Sequence, residues 1–171
     1  MPAPDAAAVE ADELDGALAC AYSHLGRRDH SAAELRGRLE RARISAAAID
    51  AALAIVGEQG YLDDARYARL LVEDRRNIDG WGVERIRARL QTAGIDAELI
   101  EQELAGCDHA AELAAARTLI DRRVRGALGD NRERQRAFAM LIRAGYASDV
   151  AYDAIRAASR GCDDEDWSQT T

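Results

Sequence analysis

The sequence of 171 residues lacks lysine altogether, so all 23 of its basic residues are arginine. Its two prolines, Pro2 and Pro4, stand at the very start, and aromatic residues make up only 5% of the chain. Proline interrupts the interior of a helix and aromatic residues favour strands, so this composition favours helices over a β-sandwich or barrel. The chain is long enough to bury a core without disulfides or a structural metal. We therefore expect an all-α protein.

Cysteine and long apolar runs are also scarce. The three cysteines, Cys20, Cys107 and Cys162, are odd in number and lie 87 and 55 residues apart, which fits neither a disulfide framework nor a zinc site. No stretch approaches eighteen apolar residues without a charge, and the first residues lack the basic start of a secretory signal. We expect a cytoplasmic protein with reduced thiols, no bound metal and no contact with a membrane.

The familiar catalytic motifs are missing as well. The sequence contains no P-loop, dinucleotide fingerprint or nucleophile elbow, and the glycine-containing segment 126–131 lacks the lysine and hydroxyl residue of a phosphate-binding loop. The adjacent carboxylates Asp63 and Asp64 stand where a helix begins, so helix capping explains them better than acid–base catalysis. We predict no catalytic residue and no cofactor, and a protein that acts by binding rather than as an enzyme.

The net charge of −8 comes entirely from the two ends of the chain. Five acids and no arginine lie in residues 1–15, and four acids and no arginine lie in residues 161–171. The residues between these ends are nearly balanced. We expect disordered acidic tails over residues 1–13 and 160–171, which would aid solubility or repel bare DNA.

Apolar positions recur along the chain with a period of 51 residues. Each copy has spacings of four, five, five and four residues, which indicates a helix, a short break and a second helix. The three sets of equivalent positions are Leu35, Leu39, Ile44, Ile49 and Leu53; Ile86, Leu90, Ile95, Ile100 and Leu104; and Ala137, Leu141, Tyr146, Ala151 and Ile155. The pattern predicts three copies of one helical hairpin.

Local start and stop signals support these hairpins. Ser31 and Glu34 form a capping box just before Leu35, and Gly94 and Gly145 stand where the middle helices of the later copies should end. One more helical segment precedes each hairpin, over Leu14–Arg28, Asp64–Asn77 and Asp108–Leu128. The repeat unit is therefore three helices, with predicted boundaries of 14–58, 59–106 and 107–159. Because no unit can cover its own apolar faces, we expect an elongated array of three stacked repeats.

The sign of the charge alternates along the chain in step with these helices. From residue 117 to 143 eight arginines face three acids, whereas residues 95–112 contain six acids and no arginine. One interpretation is weak exposed ion pairs between neighbouring helices, each contributing about 0–1 kcal/mol. The other is a basic stripe that binds an extended partner, such as a protein filament on nucleic acid. The candidate partner-binding residues are Arg36, Arg38, Arg85, Arg87, Arg89, Arg132, Arg134 and Arg136.

Four sequence motifs resemble those of the RecX family of RecA regulators. They are the segment 28–35 with Leu39, the segment 60–68 (Gly-Tyr-Leu-Asp-Asp-Ala-Arg-Tyr-Ala), Gly94-Ile95, and the segment 141–146. The second is the most specific, the motifs occur in the family's order, and the resemblance covers about residues 14–158. Gly60 begins this motif, and we assign Tyr61, Leu62, Asp63 and Asp64 to the joint between the first and second repeats, where they would set curvature rather than contact the partner.

The resemblance implies a modulator, usually an inhibitor, of the RecA recombinase. Such a protein would lie in the groove of the RecA filament on single-stranded DNA and block ATP hydrolysis, strand exchange and filament extension. The expected partner is the filament, with single-stranded DNA met mainly through it, and we expect a monomer. Positions often occupied by lysine in the family are arginine here, which keeps their charge. Two alternatives stay open: direct binding of single-stranded DNA, and a scaffold that binds only proteins.

Overall fold

The computed structural model describes residues 6–124 and 128–167, and the side chains of residues 10–124 and 128–159. Within these residues the chain forms nine α-helices and no strand, which confirms the all-α class. The helices are α1 (Ala6–Leu25), α2 (Ala32–Arg41), α3 (Ala46–Glu58), α4 (Asp64–Asp74), α5 (Val83–Thr92), α6 (Ala97–Leu104), α7 (His109–Arg123), α8 (Asn131–Ala144) and α9 (Ser148–Trp167). A π-helical turn, Arg75–Asp79, follows α4 directly.

Side-chain caps mark the starts of three helices, among them the predicted cap Ser31. The side chains of Ser31, Ser45 and Asp130 each accept a hydrogen bond from the backbone N–H three residues further on, at the starts of α2, α3 and α8. Gly94 and Gly145 follow the ends of α5 and α8 with φ angles of +72° and +92°, a left-handed conformation that only glycine adopts without strain. The stop signals of both middle helices are therefore confirmed.

The predicted boundaries of both disordered tails are wrong, because helices extend into the predicted tails. Helix α1 begins at Ala6 rather than Leu14, because the alanines that start it are the strongest helix formers. Helix α9 continues past residue 159 to Trp167, although Gly161 within it costs about 1 kcal/mol relative to alanine. Residues 1–5 and 168–171 of the predicted tails lie outside the described residues, as do residues 125–127 of the predicted third-repeat helix.

The periodic apolar positions form the core. Of the fifteen positions related by the 51-residue repeat, Ile44 and Leu53 are half-buried and all the others are buried. Ile44 and Leu53 still pack against a buried cluster. The periodicity therefore predicted the buried face of each hairpin correctly, because a helix that packs on one side must repeat its apolar residues at helical spacing.

Backbone contacts divide the chain into two compact units. The first unit contains the described residues up to Arg69 together with Gln91–Leu99, and the second contains Leu70–Leu90 and the residues from Ile100 onward. The divisions fall within α4, α5 and α6. The predicted second repeat is thus shared between two units and is not a compact unit by itself.

In the first unit, α1 packs against α2 and α3, which also pack against each other. The buried residues between these helices are Ala21, Leu35, Leu39, Ile49 and Val56, with a second small cluster of Ala17, Ala48 and Ala52. Ser31 is also fully buried and donates a hydrogen bond of 2.5 Å to the carbonyl of Ala93. The cap of α2 therefore also anchors the segment that follows α5.

In the second unit, α9 packs against α7 and α8. The buried cluster between them comprises Ala116, Leu119, Ile120, Leu128, Ala137, Leu141, Ala144, Tyr146, Val150, Ala151, Ala154 and Ile155. The start of α5 is hydrogen-bonded to the end of α8, since the N–H of Gly82 donates to Ala144 O at 2.9 Å and that of Glu84 donates to Gly145 O at 3.2 Å. These bonds hold the segment that carries Trp81 beside α8.

Candidate functional site

Two adjacent carboxylates of the predicted joint cap two different helices of the first unit. Asp63 Oδ1 accepts a hydrogen bond of 2.9 Å from the N–H of Arg66 and so caps α4. Asp64 Oδ1 accepts one of 2.8 Å from the N–H of Ala32, at the start of α2. Leu62 packs against the core of this unit. These contacts connect the start of α4 to α2, so the residues have a structural role here.

The tyrosine of the same motif lies at the surface. Tyr61 is 56% exposed, and its ring forms an edge-to-face pair with Tyr22 at a centroid distance of 5.9 Å. The Tyr22 hydroxyl donates a hydrogen bond of 2.6 Å to Gln59, just before Gly60 in the turn that follows α3. The pair holds this turn against α1. The curvature assigned to the motif stays a prediction.

We expect Asp64→Ala to lower the free energy of unfolding by about 1–2 kcal/mol, because the N–H of Ala32 loses its acceptor. Asp64→Asn keeps an acceptor oxygen and should cost less. Urea unfolding at neutral pH measures both effects. The matched control is Asp50→Ala, which removes an exposed carboxylate whose ion pair contributes about 1 kcal/mol at most. Equal midpoints for Asp64→Ala and wild type would show that the cap contributes nothing.

The candidate arginines of α2 lie in a mixed-charge surface of the first unit. Arg36 forms an ion pair of 2.6 Å with Asp50 of α3. Arg38 lines a small cavity together with Arg28 and Glu34. Glu34 accepts a hydrogen bond from Arg28 at 3.1 Å and lies 3.2 Å from His30 Nδ1. Burial lowers the pKa of His30, and the charge of Arg28 lowers it further.

The candidate arginines of α5 do not share one face. Residues two apart on a helix differ in direction by about 200°, so neighbours in this set point to opposite sides. Arg87 forms an ion pair with Glu101 of α6. The guanidinium of Arg85 instead lies over the Trp81 ring, 3.9 Å from its centroid, and Arg89 is half-buried. Arg85 is also directed toward α8, where it donates a hydrogen bond of 3.3 Å to Arg143 O.

An arginine-rich groove surrounds this Trp81–Arg85 contact in the second unit. Its volume is about 280 Å³, and its lining contains the three arginines Arg85, Arg123 and Arg143. Among the described residues, none of the three has a carboxylate within ion-pair distance. The single carboxylate in the lining, Asp79, is paired with Arg75 of the π-helical turn. The groove therefore presents uncompensated positive charge.

The three candidate arginines of α8 are all exposed. Arg132, Arg134 and Arg136 likewise lack a carboxylate partner among the residues that the structure describes. Arg134 lines a second cavity of the same unit, with a volume of about 340 Å³, whose other lining residues are Asn131, Gln135, Phe138, Tyr152 and Ile155. Helix α8 thus carries unpaired arginines toward this cavity and toward the Trp81 groove.

Three residues of the Trp81 groove were not predicted from the sequence: Trp81, Arg123 and Arg143. A tryptophan between two glycines, beside an arginine-rich helix, was the available signal. The ion pairs of Arg36 and Arg87 could not be predicted in this way, because the acids that neutralise them lie on the following helix of each copy. The interpretation as ion pairs therefore applies to these two arginines, whereas the binding of a partner by the exposed arginines of α8 stays a prediction.

The described part of the chain contains neither a metal-binding cluster nor a membrane-spanning helix. No cluster of three or more histidine, cysteine, aspartate or glutamate side chains there is arranged to hold a metal ion. None of the described helices is both long enough and apolar enough to cross a membrane.

Comparisons with known proteins place this helical chain among bacterial regulators. The family model described as the second three-helix domain of RecX matches residues 63–104, from the capping aspartates to the end of α6. Regulatory protein RecX of Deinococcus radiodurans is 34% identical over 155 residues, which cover 91% of this chain and 74% of the relative. Regulatory protein RecX of Stenotrophomonas maltophilia is 38% identical over 138 residues, which cover 80% of each chain.

Two solved structures share the fold. The crystal structure of RecX from Lactobacillus salivarius matches with a TM-score of 0.72 at 18% identity, covering 86% of this chain and 97% of that one. A second crystal structure of regulatory protein RecX matches with a TM-score of 0.71 at 22% identity, covering 88% and 75%. The sequence identity over most of its length shows that this chain belongs to the RecX family of regulatory proteins.

Proposed function

We propose that this protein binds the RecA filament on single-stranded DNA and modulates, mostly by inhibition, its recombinase and ATPase activities in recombination, DNA repair and the SOS response. It would act in the cytoplasm as a binding protein, with no catalytic step of its own. The family relationship supports a regulatory role. The observation that carries the filament contact is the set of arginines without carboxylate partners on α8 and in the Trp81 groove.

Unpaired guanidinium groups suit a partner that displays phosphates and carboxylates along its length. Each arginine can donate two parallel hydrogen bonds to either anion, and complementary charge speeds and orients association. Arg36 and Arg87 are already paired with acids of this chain, so they contribute less binding free energy to a partner than the unpaired arginines do. We therefore rank Arg132, Arg134, Arg136 and Arg85 first among the candidate contacts.

We expect the triple charge reversal of Arg132, Arg134 and Arg136 to glutamate to weaken inhibition of RecA. The measurement is DNA-dependent ATP hydrolysis by the RecA of the same organism, with increasing amounts of this protein. The concentration for half-maximal inhibition should rise about tenfold or more, which corresponds to about 1.4 kcal/mol of binding free energy. The triple reversal of Arg85, Arg87 and Arg89 should have a smaller effect, since only Arg85 faces the basic groove.

The matched control reverses three other exposed arginines, Arg69, Arg117 and Arg156, and changes the net charge equally. If it inhibits as poorly as the α8 variant, the effect is one of total charge and not of a contact surface. No inhibition by wild type at molar excess would contradict the regulatory proposal itself. Fluorescence anisotropy with labelled single-stranded DNA, with and without RecA, separates the alternatives: a filament regulator binds the RecA–DNA complex more tightly than the bare strand, a direct DNA binder gains nothing from RecA, and a scaffold responds to neither.

A further inference from the structure

The 51-residue repeat relates three side-chain pairs on equivalent helices. Arg36 pairs with Asp50 between α2 and α3, and the residues 51 positions later, Arg87 and Glu101, form the same ion pair between α5 and α6. A further step of 51 reaches α8 and α9, where the equivalent residues form an aromatic pair instead. The position that is an exposed ion pair in two copies is thus aromatic in the third.

The aromatic pair of the third copy consists of Phe138 and Tyr152. Their ring centroids are 4.7 Å apart, with an interplanar angle of 37°. Phe138 packs partly against the core of the second unit, whereas Tyr152 is 65% exposed. Phe138 is the only phenylalanine in the sequence. Packing accounts for Phe138 but not for Tyr152, because a residue that stays largely exposed gains little from burial at a position that is ionic in the other copies.

The surroundings of this pair are polar and basic. The adjoining cavity of about 340 Å³ is lined by Asn131, Arg134 and Gln135 of α8 and by Tyr152 and Ile155 of α9, in addition to Phe138. The lining contains no carboxylate. Arg132 and Arg136 are exposed on the same helix. An exposed aromatic ring beside unpaired arginines is the combination by which proteins bind single-stranded nucleic acid, with bases stacked on the ring and phosphates bound by the cations.

We propose that the Phe138–Tyr152 pair is a stacking platform for an unpaired base of single-stranded DNA, with Arg134 of the same cavity neutralising an adjacent phosphate. The amides of Asn131 and Gln135 are placed to donate to or accept from the base edge. This inference rests on the proposed function, since the RecA filament is where the chain would meet a single strand. The protein would then contact the bases directly through its third repeat, in addition to its contacts with the RecA protein.

Charge and size favour nucleic acid over an apolar protein segment as the occupant. An apolar segment would gain nothing from the unpaired Arg134 in the lining and would leave the two amides of the lining without partners. A cavity of this volume lies at the lower end of the range for whole small-molecule ligands, which suits one unit of a polymer. One nucleotide can stack its base on the Tyr152 ring, form hydrogen bonds with the two amides and pair its phosphate with Arg134.

The test compares two probes with the same number of phosphates: labelled oligodeoxythymidylate, and an abasic strand of equal length. Binding to the full-length chain is measured by anisotropy without RecA. We expect wild type to bind the thymidylate strand roughly 5- to 100-fold more tightly, the range given by one stacked base. Tyr152→Ala should abolish that preference while leaving the salt dependence unchanged, because the phosphate contacts remain. Tyr152→Trp should keep the preference.

Two further variants serve as controls for the Tyr152 substitutions. Phe138→Arg combined with Tyr152→Glu installs the ion pair of the other copies, so it should fold and lose the preference for bases. Tyr61→Ala removes a similarly exposed tyrosine of another aromatic pair and should leave the preference intact. Circular dichroism and thermal unfolding establish that each variant is folded.

Several outcomes would overturn the inference. Equal affinity of wild type for the two strands would show that no base is bound. The same preference in Tyr152→Ala as in wild type would place the base elsewhere. Loss of RecA inhibition in Tyr152→Ala, without any preference for bases in wild type, would assign the platform to a protein segment. The proposed function fails separately, when wild type leaves ATP hydrolysis by RecA unchanged, and that assay does not depend on the abasic probe.

Discussion

Glu112→Ala should destabilise the protein by about 3–5 kcal/mol, because it leaves a largely buried arginine without its counterion. Glu112 is only 6% exposed, and its Oε1 accepts a hydrogen bond of 2.6 Å from Arg76. Its Oε2 accepts a second, of 3.1 Å, from the N–H of Val83 at the start of α5. One side chain of α7 therefore satisfies both a cation and a helix N-terminus. Urea unfolding at neutral pH measures the effect.

The exposed pair Arg36–Asp50 is the matched control, since its separation is also 2.6 Å. We expect Asp50→Ala to cost about 1 kcal/mol at most, because water solvates the remaining charge. The double variant Arg76→Met with Glu112→Leu should recover much of the loss, as replacing both members of a buried pair removes the unpaired charge. If Glu112→Ala and Asp50→Ala cost the same, the buried pair contributes no more than a surface one.

The same glutamate influences a neighbouring tyrosine. The hydroxyl of Tyr146 is buried and donates a hydrogen bond of 3.2 Å to Gly80 O. Burial, followed by the negative charge of Glu112, raises the pKa of Tyr146 to about 12, against the opposing charge of Arg76. The phenol therefore stays protonated at neutral pH and keeps its donor role. Through Gly80 and Val83 these buried polar contacts hold both sides of the segment that carries Trp81.

The helices and their buried faces were predictable because their signals are local in sequence. Leu35, Ile86 and the other periodic positions mark one side of a helix, and Ser31 and Gly145 mark its ends. The buried Glu112 could not be identified in this way, since its partner Arg76 lies 36 residues away. In an alternating charge pattern an acid that pairs in the core is indistinguishable from one that faces water.

The candidate surface was predictable in its residue type but not in its detail. The arginine-rich middle helices were evident from the order of charges, yet which arginines are paired depends on acids contributed by other helices. The ion pairs at 14-residue spacing in the first two copies, and the aromatic pair in the third, become visible only when the repeat is extended to polar positions. The apolar positions alone reveal the repeat but not these polar pairs.

Gly82→Ala should lower the free energy of unfolding by about 3 kcal/mol or more. A Cβ atom at Gly82 would lie 2.5 Å from the carbonyl carbon of Gly145 and 2.6 Å from the nitrogen of Tyr146. Both are backbone atoms that cannot rotate away, so the start of α5 must move off the end of α8. That movement breaks the 2.9 Å hydrogen bond from Gly82 N to Ala144 O and adds the cost of overpacking.

Gly145→Ala should be similarly damaging for two reasons. Its Cβ would lie 2.6 Å from the backbone nitrogen of Arg85, and its φ of +92° is strained for any residue with a Cβ. Gly37→Ala is the matched control: it lies within α2 with no atom near its Cβ, so it should stabilise the protein by about 0.5–1 kcal/mol through helix propensity. Thermal unfolding of the three variants should therefore give shifts of opposite sign. A Gly82→Ala variant as stable as wild type would mean that α5 and α8 are not in close backbone contact, and the Trp81 groove would lose the geometry that brings Arg85 to Arg143.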